Sequence, residues 1–406
     1  MAQVKGRVIG LGIVALAVAA GLQYYTGSVF DQQLQQVKAD LSPQSGVTIT
    51  ETARSFFSRQ IDVKVVTESG DPSVQAAEIL AKNAVSIWPL HISATTTLAS
   101  QGLVAELEKL SGKPLPFAMH SSYTLGSDVK SNFTLGELKL TDEGNQFLIK
   151  PLTGDLTYSV NQRELDLKTD WQGGDLKSNQ ETALQVGAVS ILTKQQQKQG
   201  LWFGTNTFDI ASFSSETAAS QVTFSNLKID TDQQEKGEGL DFISQITLGD
   251  YQQTKPLQLN VKDALLKFQV TGLNRDALLV MSKQQKISEE QAQNELLQLL
   301  GKGVKVSIDQ LSAKIGEGML QGKGVMQLPA DRAMPSNWDE LLLPLTADAQ
   351  LSVDEKVFLK QPQMLLMLLQ LSSQGWISQK DGQLHSSVTI HDGMLSVNGN
   401  EVSQLF

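Results

Sequence analysis

From Val47 onward, apolar and polar residues alternate with a period of two along most of the chain. Ile61, Val63 and Val65 alternate with Asp62 and Lys64, the pattern of a half-buried strand. The middle repeats it at Phe133/Leu135, Leu138/Leu140, Phe147/Ile149, Leu156/Tyr158/Val160, Leu165/Leu167, Leu184/Val186 and Val222/Phe224, with Leu227/Ile229 resuming after an apparent bulge. Turn signals at Asp142 to Gly144, Asn161-Gln162, Gly173-Gly174 and Asp250 punctuate the runs. Strands this close in sequence favour antiparallel meanders, because parallel pairs need long crossovers. Alternation dries one face of each strand and leaves the other polar. The end of the chain carries the plainest hairpin: Val388/Ile390, then Asp392-Gly393, then Leu395/Val397, Asp-Gly being a strong signal for a two-residue turn. Asn398 to Asn400 makes the next turn.

Helical spacing interrupts this pattern in four places. Asp31 to Leu41 carries Leu34, Val37 and Leu41 on one side, and Pro43 and Gly46 stop it. Leu103 to Leu110 reads as a helix broken by Gly112 and Pro114. A third helix begins near Asn274 or, more firmly, at Ser288, where Ser288 to Gln291 forms a capping box; Leu296, Leu297, Leu299 and Leu300 are its apolar side, and Gly301 and Gly303 end it. The fourth covers roughly Gln363 to Leu371. Its apolar residues run nearly all round, so it is either deeply buried or laid over a hydrophobic surface. At about nine residues it is too short to span a bilayer. The expected fold is mainly β (α+β): long antiparallel meander sheets, twisted or groove-forming, with a few packed helices and an N-terminal membrane helix.

That last element rests on the first thirty residues. Lys5 and Arg7 precede the run from Val8 to Leu22, Tyr24 and Tyr25 close it, and no charge occurs before Asp31, about 23 residues after Arg7. This length suffices for a helix across a hydrocarbon core of about 30 Å. Lys5 and Arg7 should stay cytoplasmic, with the tyrosines at the far interface. Ala17 to Ala19 also offers the small-x-small pattern of a cleaved signal peptide. The uncleaved anchor is preferred because the apolar character persists past that cut. Either reading exports the remaining chain. The expected division is an anchor over 1–30, a linker helix over 31–46, a β-rich region over 47–272, and a C-terminal region over 273–406 continuous with the preceding sheet.

The chain has 406 residues, 40% hydrophobic and 19% charged, which are globular values. Its net charge of -10 argues against nucleic acid, whose phosphates call for a basic face. Cysteine is absent, which excludes disulfides, thiol catalysis, Cys-based zinc sites and a lipidated N-terminal Cys. His91, His120, His385 and His391 lack partners at metal-ligand spacing, and no Gly-x-Ser-x-Gly elbow occurs. His391 beside Asp392 reads as a solvated hairpin turn. Gly316, Gly318, Gly322 and Gly324 miss the phosphate-loop spacings and read as a bent sheet. Asp230 to Glu235 begins like a calcium loop, but Glu235 replaces the required Gly, so it reads as an exposed turn. No catalytic, metal or cofactor site is expected.

Several segments taken together carry a family likeness: the short anchor with its tyrosine edge, Arg54-Ser-Phe-Phe-Ser-Arg59 opening a strand, Leu201-Trp-Phe-Gly204 before an alternating run, and the Asp392 to Gly399 finish. The set resembles the YdgA-like family of gammaproteobacterial envelope proteins. That resemblance implies an inner-membrane anchor, a periplasmic body and no established activity, and it supplies no functional residues. A looser architectural likeness is to AsmA-like proteins, whose long twisted sheets carry an apolar groove for lipid.

These features lead to a non-enzymatic expectation: a bacterial inner-membrane protein, single-pass, with a cytoplasmic N-terminus and a periplasmic body that handles a hydrophobic ligand such as lipid. Met364, Leu366, Met367 and Leu369 are the candidate groove lining, since methionine adapts its shape to varied chains. The alternative is a structural or protein-interaction component of the envelope without a ligand groove, with other envelope proteins as partners.

Overall fold

The computed structural model describes residues 22–38, 46–67, 77–142, 144–178, 183–237, 239–255, 258–283, 289–329, 338–358 and 362–405. The chain divides into two units, Met1–Leu176 and Lys177–Phe406. Antiparallel strands dominate both, as the alternation predicts.

In the first unit, β1 (Val47–Arg54), β2 (Ser58–Thr67), β3 (Ala77–Trp88), β4 (His91–Leu98), β5 (Phe117–Thr124) and β6 (Asp128–Leu135) form a meander. The hairpin of β7 (Leu138–Asp142) and β8 (Asn145–Ile149) follows. β9 (Leu152–Ser159) then returns to the free side of β6, and β10 (Glu164–Trp171) adds to β9. β11 (Gly174–Lys177) pairs with β8. Val160, expected at the end of β9, lies just past it and is exposed.

Helix α1 spans residues 22–38. It begins well before Asp31, so the end of the expected anchor and the expected linker belong to one helix. Phe30 and Leu34, four apart and therefore on one face, pack on the cluster of Ile61, Val85, Ile87 and Ile92. Val37, expected on that stripe, is exposed.

The same covered face of β2 carries Arg59, which is buried. A charge taken from water needs partners, and α1 brings one. Asp31 takes two hydrogen bonds from the Arg59 guanidinium, at 3.1 and 3.0 Å, and one from Arg54 at 2.9 Å. Glu51 pairs with Arg54 through both oxygens, at 2.6 and 2.7 Å. The Arg54 hydrogen bonds hold the Glu51 carboxyl below the usual carboxylate range, against a smaller opposing effect of burial. At the start of α1, the Gln23 amide donates to Ile87 O at 2.5 Å, and Thr26 Oγ1 accepts from the Leu90 N–H at 2.9 Å. The helix is thus clamped through its first half, from Gln23 to Asp31, to the β1–β2 and β3–β4 turns. Helix α2 (Leu103–Ser111), ended by left-handed Gly112, lies against β7 with Val104 buried.

The second unit is built on longer strands. β14 (Leu201–Glu216), β15 (Gln221–Lys236), β16 (Gly239–Lys255) and β17 (Leu259–Asn274) have 16, 16, 17 and 16 residues, or roughly 50 Å of extended chain each. β12 (Ala183–Val186) and β13 (Val189–Lys198) lie in line along the outer edge of β14. β18 (Val304–Ile315), β19 (Gly318–Leu328), β20 (Thr346–Asp354) and β22 (Gln383–His391) continue the sheet beyond β17. β21 (Ser378–Lys380) and β23 (Met394–Val397) share the next edge, and β24 (Asn400–Gln404) closes it. Asp392 and Gly393, at φ 50° and 75°, make the expected two-residue turn.

Asp250, expected to mark a turn, lies inside β16 opposite Ser225 and Lys262. Asp230 to Glu235, expected as an exposed turn, is part of β15. Local turn propensity loses in both places to ladders on either side of the strand.

Two helices stand where the sequence offered two alternative starts. α3 (Arg275–Lys283) follows β17 directly, and α4 (Glu289–Leu300) corresponds to the capping-box reading. The short α5 (Trp338–Leu342), unforeseen, lies between β19 and β20, and α6 (Pro362–Ser373) matches the Leu/Met segment. Three of these helices serve connections at one end of the sheet. There Leu278 and Leu279 of α3 pack with Leu201, Phe203 and Leu240, while Leu297 of α4 and Leu341 of α5 pack with Leu328 and Leu345.

Candidate functional site: an apolar sheet face

The pairing register of the second unit sorts its side chains into rows. Ile191, Phe208, Ile229, Ile246, Leu266 and Leu311 oppose one another strand to strand from β13 to β18; Gly322 and Leu351 carry the row on to β20. A parallel row runs through Phe242, Val270, Val306, Met326, Ala347 and Ile390. Directly paired residues share a face, so the alternation along each strand becomes an apolar band across many strands. The next residues along, such as Thr207, Asp230, Gln245, Lys267 and Gln310, form an equally continuous polar row.

The apparent bulge after Phe224 has a structural origin. Ala211, Asn226, Gly249 and Asp263 fall in one line across four strands, unpaired within otherwise regular registers. Asn226 and Asp263 take left-handed backbone at φ 55° and 49°, a conformation that Asn and Asp tolerate better than most residues. A Cβ on Gly249 would stand 3.1 Å from Asn226 Cβ, so glycine gives that kink its room. The apolar pattern shifts by one residue at this line in each strand. Phe213, Phe224, Tyr251 and Val261 form the next row, with Phe213 and Phe224 stacked at 4.9 Å. The kink keeps the rows in phase.

This band is not sealed. Phe208, Ile229, Ile246, Leu266 and Leu311 are half-buried, and Ile308, Met326 and Leu351 are exposed. The fully buried Leu201, Phe203, Leu240, Leu297 and Leu328 lie at the helix-capped end. Gly322 leaves a dent in the band: a Cβ there would meet Leu351 Cδ1 at 3.1 Å and Leu311 Cδ2 at 3.3 Å. Gly322 therefore serves close packing within the sheet, whereas Gly316 stands in the β18–β19 turn at φ 58° with open space around it. An open groove of about 750 Å³ spans β18 to β22, with Gln310, Gln321, Lys323, Gln350 and His385 among its lining.

Two carboxylates on this unit hold strands together. Burial would raise the Asp230 carboxyl, but a hydrogen bond from Thr207 at 2.7 Å and the Lys228 ammonium at 2.9 Å outweigh it and lower it. Asp354 is lowered by the Met319 N–H and the Gln383 amide, at 2.9 and 3.0 Å, and ties the β18–β19 turn to β20. The histidines are dispersed: His91 meets Thr124, His120 meets Thr95, His385 lies in the groove, and His391 pairs with the exposed Asp392. Among the described residues no group of three or more His, Cys, Asp or Glu could hold a metal ion.

Of the residues proposed from sequence to line a groove, Leu369 is 61% exposed on α6. The side chains of Met364, Leu366 and Met367 lie outside the described residues. The sequence reading expected one apolar side on a long antiparallel sheet but did not single out the residues of the band across β13 to β20. Its signal was already present in the alternation, but only the strand register converts separate stripes into one surface.

These features define a protein class by architecture, mostly antiparallel β with an amphipathic sheet and few helices, and not by a reactive constellation. The chain belongs to a family described as bacterial protein of unknown function (DUF945), whose model matches residues 5–404. No curated protein and no solved structure matches it. No described helix is long and apolar enough to cross a membrane; Val8 to Gly21 lie outside the described residues.

Proposed function

We propose that this protein is tethered to the inner membrane by its N-terminal apolar segment, with its body in the periplasm. There the second unit binds an elongated hydrophobic ligand, with lipid acyl chains as the fitting chemistry. The observation that carries the ligand reading is the half-open apolar band from Ile191 to Leu351. Apolar area in contact with water costs about 25 cal/mol per Å² relative to burial. A ligand lying across the strands removes that cost without rearranging the sheet, and a band crossing several strands suits a chain-like ligand better than a compact one. The address is supported by the basic–apolar–tyrosine order of residues 5–25 and by the resemblance to YdgA-like envelope proteins. Helix α6, which carries the exposed Leu369, is assigned as an adaptable cover over the ligand.

Native mass spectrometry of gently extracted full-length protein tests the ligand. Stoichiometric co-purified lipid supports it, whereas lipid-free protein in stoichiometric complex with another envelope protein supports the alternative of an interaction component. One observation favours that alternative: β24 is exposed along its whole length, and only its β23 side is paired among the described residues, the arrangement that accepts an added strand. Reporter fusions after Asp31 test the address, and a cytoplasmic body would sink it.

A further inference from the structure

In the first unit, the β1–β2 and β3–β4 turns emerge at the same end of the sheet as the described start of α1. Those turns and that helix start carry large apolar side chains pointing at solvent. Phe56 and Phe57 are each 51% exposed, Trp88 is 56% exposed and Tyr24 73%; Tyr25 and Leu90 are exposed beside them. The aromatic residues are not scattered. Phe56 and Phe57 meet edge to face at 5.0 Å, and Phe57 lies 5.8 Å from Trp88. The neighbouring β5–β6 turn, joined to Leu90 by the Leu125 N–H at 2.9 Å, exposes only the small residues Gly126 and Ser127, with Leu125 half-buried. The patch is therefore confined to the α1 side of this end.

We infer that this patch is a membrane-seating surface: it dips into the interface of the bilayer that holds the N-terminal segment. The inference rests on the tether proposed above. Val8 to Leu22 is uncharged and apolar, and it joins the body at residue 22, within the patch. A bilayer entered by that segment lies within a few residues of Phe56 and Trp88, because consecutive Cα atoms are only about 3.8 Å apart. Tryptophan and tyrosine favour the interface, where an apolar ring and a polar tip are both satisfied. The local charges point to a seat driven by apolar contact. Arg54 and Arg59 are balanced by Asp31 and Glu51, so anionic headgroups are not required. The Arg59 clamp keeps α1 at a set angle to the sheet, which makes the seat a fixed orientation.

The absence of cysteine makes the test direct. Full-length F57C, L90C and K139C proteins, each carrying one fluorophore, are reconstituted in phosphatidylcholine vesicles. Lys139 is exposed on β7, at the opposite end of the sheet from these turns. Labels at positions 57 and 90 are expected to be shielded from aqueous iodide and quenched by brominated lipid, with at least about a threefold change in the ratio of the two relative to position 139. Adding F56S, F57S and W88S to the L90C protein should raise iodide access at position 90 while the protein still floats with the vesicles. Two results overturn the inference in distinguishable ways. Protein that floats with vesicles while positions 57 and 90 behave like 139 has a tether and a body standing off the bilayer. Protein that does not float lacks the tether itself, and both readings fail.

Discussion

The two units apply one sequence rule to different ends. In each, alternating strands give a sheet with an apolar face. In the first, α1 lies along that face, and Ile61, Val85, Ile87 and Ile92 are sealed, Ile87 completely. In the second, the described helices near the band, α3 to α5, gather at one end of strands twice as long, and Phe208, Ile246 and Leu266 remain half-open. Alternation thus predicts a dry side but not what dries it. One helix covers a face of short strands, whereas strands of roughly 50 Å outrun the helices supplied.

The sharpest way to break this contrast is to place a carboxylate on each face. Ile87→Asp buries an unpaired charge and should cost more than about 4 kcal/mol, abolishing folding of the first unit. Ile246→Asp, reachable by water, should cost about 1–2 kcal/mol by denaturant titration and remove co-purified lipid. Equal losses would mean that the band is sealed core. Arg59→Ala comes next. It leaves the carboxylates of Asp31 and Glu51 without their most buried partner, and about 1–3 kcal/mol should be lost. Protease cleavage within residues 22–38 should then appear before global unfolding.

Gly393→Val forces a β-branched residue to φ 75°, at a cost of about 1–2 kcal/mol confined to the last strands. Faster hydrogen exchange in β23 and β24, with the long strands unchanged, is the expected pattern. Leu369→Asp, on an exposed site of α6, should be within about 0.5 kcal/mol of neutral for folding; lipid loss from a folded variant would assign α6 to the groove. The smallest effect is acid loosening of the α1 clamp. The Glu51 carboxyl is held below its ordinary value, so its stabilisation is present above that value and is lost as pH falls through the lowered one. Arg54 is half exposed, so the change should be only a few tenths of a kcal/mol. Limited proteolysis of α1 between neutral and acidic pH would detect it, and a Glu51→Gln protein should lack the pH dependence.

Much of the architecture was legible because it is local. The Asp392-Gly393 and Asn398-Gly399 hairpins, the α2 stop at Gly112, the α4 stop at Gly301 and the alternating strands all follow from backbone preferences and period. Two misreadings share one cause. Asp250 and the Asp230 to Glu235 run have turn-like composition, yet each sits mid-strand because neighbouring ladders satisfy its backbone and polar partners such as Thr207 satisfy its side chain. Helix α5 is five residues long, too short to show a period.

By itself the sequence determined the strand-rich class, the placement of three helices, the absence of thiol chemistry, and a basic–apolar N-terminal segment. Each depends on residues near one another in the chain or on composition. Only tertiary structure decided that Arg59 would meet Asp31 across 28 positions, that Phe57 would lie beside Trp88, and that separate stripes would align into one band. Those outcomes depend on register and on which element covers which face. A one-residue slip in pairing would leave the alternation of each strand intact while sending its apolar side chains to the opposite side of the sheet.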